Sequence, residues 1–291
     1  MYLSFYELDR SPFEMTPDPG FLYLGEAHRE GLATLVYAVR SRKGFVLLTG
    51  EVGTGKTTLL HALLSQLDSD TASAFLFHPV LSPLDLFRML FSEYGIEERC
   101  QTKAEFLLAF NRFLIDRLKK NQATLLILDE AQRLSTELLE EIRLLSNLET
   151  ATSKLIQIML VGQPELKEML AAPELRQLRQ RIALRYEIHP LDREDTIAYI
   201  EERLRSAGYA GTGIFKKGAL AEIYRVTGGI PRLINIVCDG ALLLGFARDQ
   251  SVLGRHAIAE VARDLELDGA RVDGRANGGA SRSRRRFGLF R

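Results

Sequence analysis

The chain alternates between two kinds of hydrophobic pattern. Short, almost continuous apolar runs occur at GFVLLTG (44–50), ASAFLF (72–77), TLLILD (124–129), LIQIMLV (155–161) and IALRYEI (182–188). Runs of this length, rich in β-branched and aliphatic residues, predict buried strands. Between them apolar residues recur with a helical period, which predicts helices over 27–40, 57–67, 83–94, 103–119 and 135–149. Strands this apolar, separated by helices, imply a parallel sheet covered on both faces. After Pro190 the pattern is helical only, over 193–207, 216–227, 232–246 and 255–265, with Asp192 placed as an N-cap and Asp195 three residues on. The expectation is an α/β class fold: an N-terminal segment over 1–43, a five-stranded core over 44–190, and a small C-terminal all-helical lid over 191–268. No internal repeat is visible.

Composition narrows this picture. A chain of 291 residues with 46% hydrophobic positions can fill a large core and a smaller one. No stretch approaches the roughly 18 consecutive apolar residues of a membrane span, and the N-terminus lacks the basic start and apolar run of a signal peptide. A cytoplasmic location is therefore expected, peripheral to the inner membrane at most. Cys100 and Cys238 are far apart and lack metal-type spacing, so reduced thiols are expected. The formal charge is zero, yet 269–291 holds seven Arg against the single acid Asp273, which leaves +6 there and −6 on the preceding residues. Such a Gly, Ser and Arg-rich tail is expected to be disordered, and it is able to contact nucleic acid, anionic lipid or an acidic partner.

Two motifs carry chemistry. GEVGTGKT (50–57) fits G-x-x-x-x-G-K-[ST] at every constrained position and lies between a predicted strand and a predicted helix. Gly50, Gly53 and Gly55 let the backbone curl around phosphate oxygens, with Glu51, Val52, Thr54 and Thr58 completing the loop and the first helical turn. Lys56 is expected to reach the β and γ phosphates of ATP, and Thr57 to ligate Mg²⁺. Farther along, LLILDE ends its apolar strand with Asp129, suited to hold the metal through water, and Glu130, suited to deprotonate the attacking water.

With both motifs placed, the sequence resembles the AAA+ ATPases of the ExeA type, the general secretion pathway protein A group, and more distantly the AAA+ regulators of DNA transposition. The resembling stretches are FYELDRSPFEMTPDPGFLYLGEAHREGLATL, GFVLLTGEVGTGKTTL, LLILDEAQRLS, LVGQPEL, LRQLRQRI and TGGIPRLIN. The resemblance implies a P-loop AAA+ fold and further roles. Gln163 would be a sensor of the γ-phosphate or lytic water, with a plain turn residue beside Pro164 as the other reading. One of Arg176, Arg179 and Arg181 would be an arginine finger reaching a neighbouring subunit, Arg181 first and Arg179 second, against a solvated helix face. Arg232 would tie the lid to the γ-phosphate, against a structural ion pair. Phe21, Tyr23 and Leu24 would pack on adenine or simply fill core. ExeA continues into a transmembrane segment and a peptidoglycan-binding domain, so direct cell-wall anchoring is not expected here. The implied protein is a homo-oligomeric ring or filament that hydrolyses ATP with Mg²⁺ and works on a membrane or envelope complex for secretion or polysaccharide export. Two other readings stay open: a DNA-associated regulator recruiting a transposase or nuclease, and a nucleotide-binding scaffold without turnover.

Overall fold

In the computed structural model of the chain, the described residues are 2–14, 23, 25–77, 82–151, 153–211 and 213–267. Five strands, β1 (Phe45–Gly50), β2 (Ala72–Leu76), β3 (Thr124–Leu128), β4 (Gln157–Gly162) and β5 (Ile182–Ile188), form one parallel sheet in the order β2-β3-β4-β1-β5. β1, β3 and β4 are buried along their whole length, which is why their sequences read as unbroken apolar runs.

The two-residue period of a strand sorts these side chains into two layers. Val46, Leu48, Leu125, Ile127, Met159 and Val161 pack beneath α1 (Glu26–Arg40) and α2 (Lys56–Gln66). Phe45, Leu47, Leu126, Leu128, Ile158 and Leu160 face the other way, into a core built with α3 (Pro83–Tyr94), α4 (Lys103–Lys119) and α5 (Thr136–Leu145). α4 begins with a full capping box between Thr102 and Glu105, a local start signal written in the sequence.

Two short helices were not anticipated. α6 (Glu165–Ala171) and α7 (Arg176–Arg181) are separated by a 3₁₀ turn at Pro173–Leu175, and they bury Leu166, Leu170, Leu175 and Leu178. α5 stops at Leu145, earlier than its periodicity suggests, where the Ser146 hydroxyl donates to the Arg143 carbonyl at 2.6 Å.

Four helices, α8 (Arg193–Ser206), α9 (Lys217–Thr227), α10 (Pro231–Ala247) and α11 (Arg255–Asp264), enclose a separate core of Ile200, Ile223, Ile234, Val237, Cys238, Leu242 and Ile258. Asp192 caps α8 by accepting from the Asp195 N–H at 2.8 Å. The first 43 residues divide between the two bodies. Tyr6, Leu8 and Phe13 enter the lid core, with Tyr6 Oη donating to Gln250 O at 3.0 Å and Asp9 N to Ala207 O at 2.8 Å, whereas α1 belongs to the sheet. The reason is area: the lid's own helices leave apolar surface that three large N-terminal side chains cover. The expected tail over 269–291, Phe21 and Leu24 lie outside the described residues.

The lid is tied to its own entry at Leu191, which packs in the lid core and whose N–H donates to Gly229 O at 2.9 Å. Gly229 has φ +78°, and a Cβ there would sit 1.8 Å from Leu191 O. Gly229→Ala is therefore expected to destabilise the chain by about 1–3 kcal/mol from backbone strain alone, seen as a lowered Tm and faster proteolysis within the lid; an unchanged Tm would mean that the Leu191–Gly229 contact does not hold the lid together.

Candidate functional site

The loop 50–57 leaves the C-terminal end of β1 and turns directly into α2, so its backbone N–H groups and the positive end of that helix face one point. Lys56, the first residue of α2, is buried, and its Nζ donates to Gly50 O at 2.8 Å and Glu51 O at 2.9 Å. Burial pulls its pKa below the ordinary lysine value, an effect opposed by Glu130, Asp129 and Glu51. Thr54 Oγ1 donates to Glu51 O at 2.9 Å and tightens the curl. From α1, His28 Nε2 lies 3.0 Å from Thr54 O; a carbonyl can only accept, so Nε2 carries the proton, and the buried Nδ1 has no partner among the described residues.

β4 lies between β3 and β1, which brings the loops after all three strands to one edge of the sheet. Asp129 is fixed at the end of β3, its N–H donating to Leu76 O at 3.0 Å. Burial pushes its carboxyl upward, and the Glu130 N–H, Lys56 and the Thr57 side chain pull it back down. Glu130 adopts a left-handed conformation, φ +51°, with its N–H on Asp129 Oδ1 at 2.9 Å. Its Oε2 accepts from Gln132 Nε2 at 2.7 Å and Gln163 Nε2 at 3.1 Å, while Gln132 Oε1 accepts from Gln163 N at 3.2 Å.

Beside the loop, Tyr23, His28, Gly55, Thr58, Leu191, Tyr199, Arg203 and Pro231 line a cleft of about 60 Å³ between the sheet domain and the lid. Its walls are cross-braced: Tyr23 Oη donates to Asp195 Oδ1 at 2.8 Å, Tyr199 Oη to Asn235 Oδ1 at 2.8 Å, and Arg203 Nη1 to Tyr199 Oη at 3.1 Å. A larger groove of about 450 Å³, lined by Arg40, Arg42, Glu149 and Lys154, sits at the opposite end of the strands and is open to solvent, away from the clustered loops.

Residues 39–170 match the family described as AAA domain. Residues 39–170 thus carry an AAA domain, and the chain has the P-loop AAA+ fold. It is 43% identical over 275 residues to general secretion pathway protein A of Aeromonas hydrophila, an alignment that covers 94% of this chain and 49% of that protein. The chain thus spans about half the length of the curated relative it matches. Among solved structures, its fold is similar to Cdc6p of Pyrobaculum aerophilum (TM-score 0.64, 17% identity, 86% of this chain and 71% of that one) and to Drosophila ORC bound to DNA (TM-score 0.67, 15% identity, 91% and 66%). The Aeropyrum pernix ORC2 protein, in ADPNP-ADP complexes, matches with TM-score 0.63 at 15% identity over 88% and 72%.

The AAA+ arginines divide by location. Arg232, exposed at the first turn of α10, meets the phosphate loop through its backbone, its N–H donating to Gly53 O at 3.2 Å. Arg181 is half-buried and donates to Ser146 Oγ, and its charge helps lower the Glu140 and Glu149 carboxyls. Arg179 Nη1 reaches Ala171 O at 3.3 Å, and Arg176 is exposed. All three precede Ile182, which pairs with Phe45 at the start of β1, while the phosphate loop follows Gly50 at its end. Five strand residues at about 3.3 Å each separate them by roughly 16 Å along the sheet. No side chain of α7 spans that to this chain's own loop.

Sequence reasoning missed His28, Gln132, Tyr199 and Arg203. Gln132 and His28 lie within the resembling stretches LLILDEAQRLS and FYELDRSPFEMTPDPGFLYLGEAHREGLATL; Tyr199 and Arg203 are visible only once the lid is in place. Gly53 is a tight point of that placement: φ is +81° and a Cβ would stand 2.6 Å from Arg232 Cβ. Gly53→Ala is expected to weaken binding of a fluorescent ATP analogue at least tenfold without unfolding the sheet domain. Undiminished affinity would show that the loop and lid need not touch.

Proposed function

We propose that the protein binds and hydrolyses ATP with Mg²⁺ as a homo-oligomer and uses the cycle to drive or switch assembly of a cell-envelope secretion or polysaccharide export system. The observation that carries this reading is a buried Lys56 in a Gly-rich loop within electrostatic reach of the Asp129–Glu130 pair, which follows β3 at the same edge of the sheet. In this reading the loop N–H groups hold the phosphates, and Lys56 exchanges the carbonyls of Gly50 and Glu51 for β and γ oxygens. Thr57 and Asp129 offer the hard oxygen donors that suit Mg²⁺, and the half-buried, electrostatically crowded Asp129 fits a bound cation. That ion, when bound, neutralises charge on the phosphates. Glu130 takes the proton of the attacking water, and Gln163 donates to the γ-phosphate. The base occupies the cleft beside Tyr23 and Tyr199, and Arg232 links lid position to the phosphates.

The separation of α7 from the chain's own loop supports a finger acting on a neighbouring subunit. Arg181 must leave Ser146 to do so, and Arg179 is less firmly held. The envelope role rests on the secretion-pathway relative, and work at the cytoplasmic side of the inner membrane follows from it. The reading as a DNA-associated regulator is supported by the seven Arg of 269–291. It requires DNA affinity that falls steeply with salt.

Lys56→Ala is expected to abolish ATP binding. Glu130→Gln should bind ATP within about threefold of the parent while phosphate release falls by about 10²–10⁴, and chelating Mg²⁺ should stop turnover in the parent. Normal turnover in Glu130→Gln would remove its role as base. For the finger, specific activity should rise with protein concentration, and Arg181→Ala or Arg179→Ala should cost up to about 10³–10⁵ in rate. Mixing the inactive arginine variant with Lys56→Ala should restore part of the activity; no recovery at any ratio would exclude action in trans.

A further inference from the structure

We propose that Gln132 is the positioning residue that orients the Glu130 carboxylate and couples it to the tip of β4; this rests on the reading of Glu130 as the base. Glu130 has little else to hold its end. Its N–H is committed to Asp129 Oδ1 at 2.9 Å, and its side chain, 35% exposed, has three freely rotating bonds. Both strong contacts fall on one oxygen, Oε2: Gln132 Nε2 at 2.7 Å and Gln163 Nε2 at 3.1 Å. Arg133 Nε stands 3.8 Å from the same oxygen, but its side chain is 65% exposed and contributes little orientation. Among the described residues none donates to Oε1, which leaves that oxygen to meet a water.

Gln132 is itself pinned. Its Oε1 accepts from Gln163 N at 3.2 Å, and Gly162 passes so close that a Cβ there would lie 2.5 Å from the same oxygen. The amide therefore bridges the loop after β3 and the end of β4, with one end on the carboxylate and the other on the backbone of Gln163. The Gln163 amide has two N–H donors, so its hold on Oε2 is shared with, or given up to, a γ-phosphate. When it turns to the phosphate, Gln132 is the neutral donor that remains on Oε2 and keeps the carboxylate aimed. Through Gln163 N, the same glutamine registers any shift at the β4 tip.

A displacement of about 1 Å in a reacting group can cost about 10²-fold in rate, so the loss on removing Gln132 should approach, and not exceed, that of Glu130→Gln. Gln132→Ala and Gln132→Met, the second keeping length and packing, are compared with the parent and Glu130→Gln by phosphate release at saturating ATP, by KM, by binding of a fluorescent ATP analogue and by Tm. The expected result is a 10- to 100-fold lower kcat in both variants, with KM, analogue affinity and Tm held near the parent values. If both variants keep kcat within twofold while Glu130→Gln is inactive, the positioning role is overturned and the base assignment stands. If affinity falls as far as kcat, Gln132 is merely structural and the proposal also fails. If Glu130→Gln itself turns over normally, the underlying reading of the base is what fails.

Discussion

A lysine ammonium buried at the first turn of a helix faces the positive end of that helix and has lost much of its water. Its charge needs negative partners close by, and the fold is arranged to provide them. Gly50 and Glu51 turn their carbonyls onto Nζ, and Asp129, Glu130 and Glu51 oppose the effect of burial on Lys56. Glu51 belongs to the loop itself, and Asp129 and Glu130 face it across the intervening β4 because all strands run parallel and end at one edge of the sheet. The same crowding pushes Asp129 the other way, toward its neutral form. A site that strains a cation and an acid together is relieved by a ligand carrying both signs, which is what a metal-bound polyphosphate is.

The sheet was legible because its central strands are buried on both faces, and burial of that kind leaves an unmistakable run of aliphatic residues, as in Leu125–Leu128 or Ile158–Val161. α6 and α7 were not, because each is only about two turns long and Pro164 and Pro173 interrupt any period. The phosphate loop and the acid pair were readable as motifs, since chemistry fixes their residue types and spacing. Arg232 was expected to face the cleft through its side chain; its contact with the phosphate loop is a backbone N–H, which no side-chain pattern encodes. Tyr199 and Arg203 join His28 only when α1 and α8 are brought together through the lid, so nothing local in the sequence marks those two.

The acid loop and the lid share a design. In each, a glycine lets a neighbour approach until no Cβ fits between them, Gly162 against the Gln132 side-chain amide and Gly229 against the Leu191 backbone. Stiff contacts of this kind transmit displacement rather than absorb it. A shift at the β4 tip is passed to Glu130, and a shift of α10 is passed to Gly53, by contact alone.

The lid core also has a temporal cost. Tyr6 meets Gln250, and Tyr2 meets Asp239, across separations of 244 and 237 residues. At synthesis rates of about 5–20 residues per second, the N-terminal aromatic cluster waits on the order of 10–50 s on the ribosome before its partners exist. During that interval Tyr6, Leu8 and Phe13 are apolar surface without a home, while the sheet domain behind them already has every strand it needs. Residues 2–14 are therefore made before the sheet and buried after it.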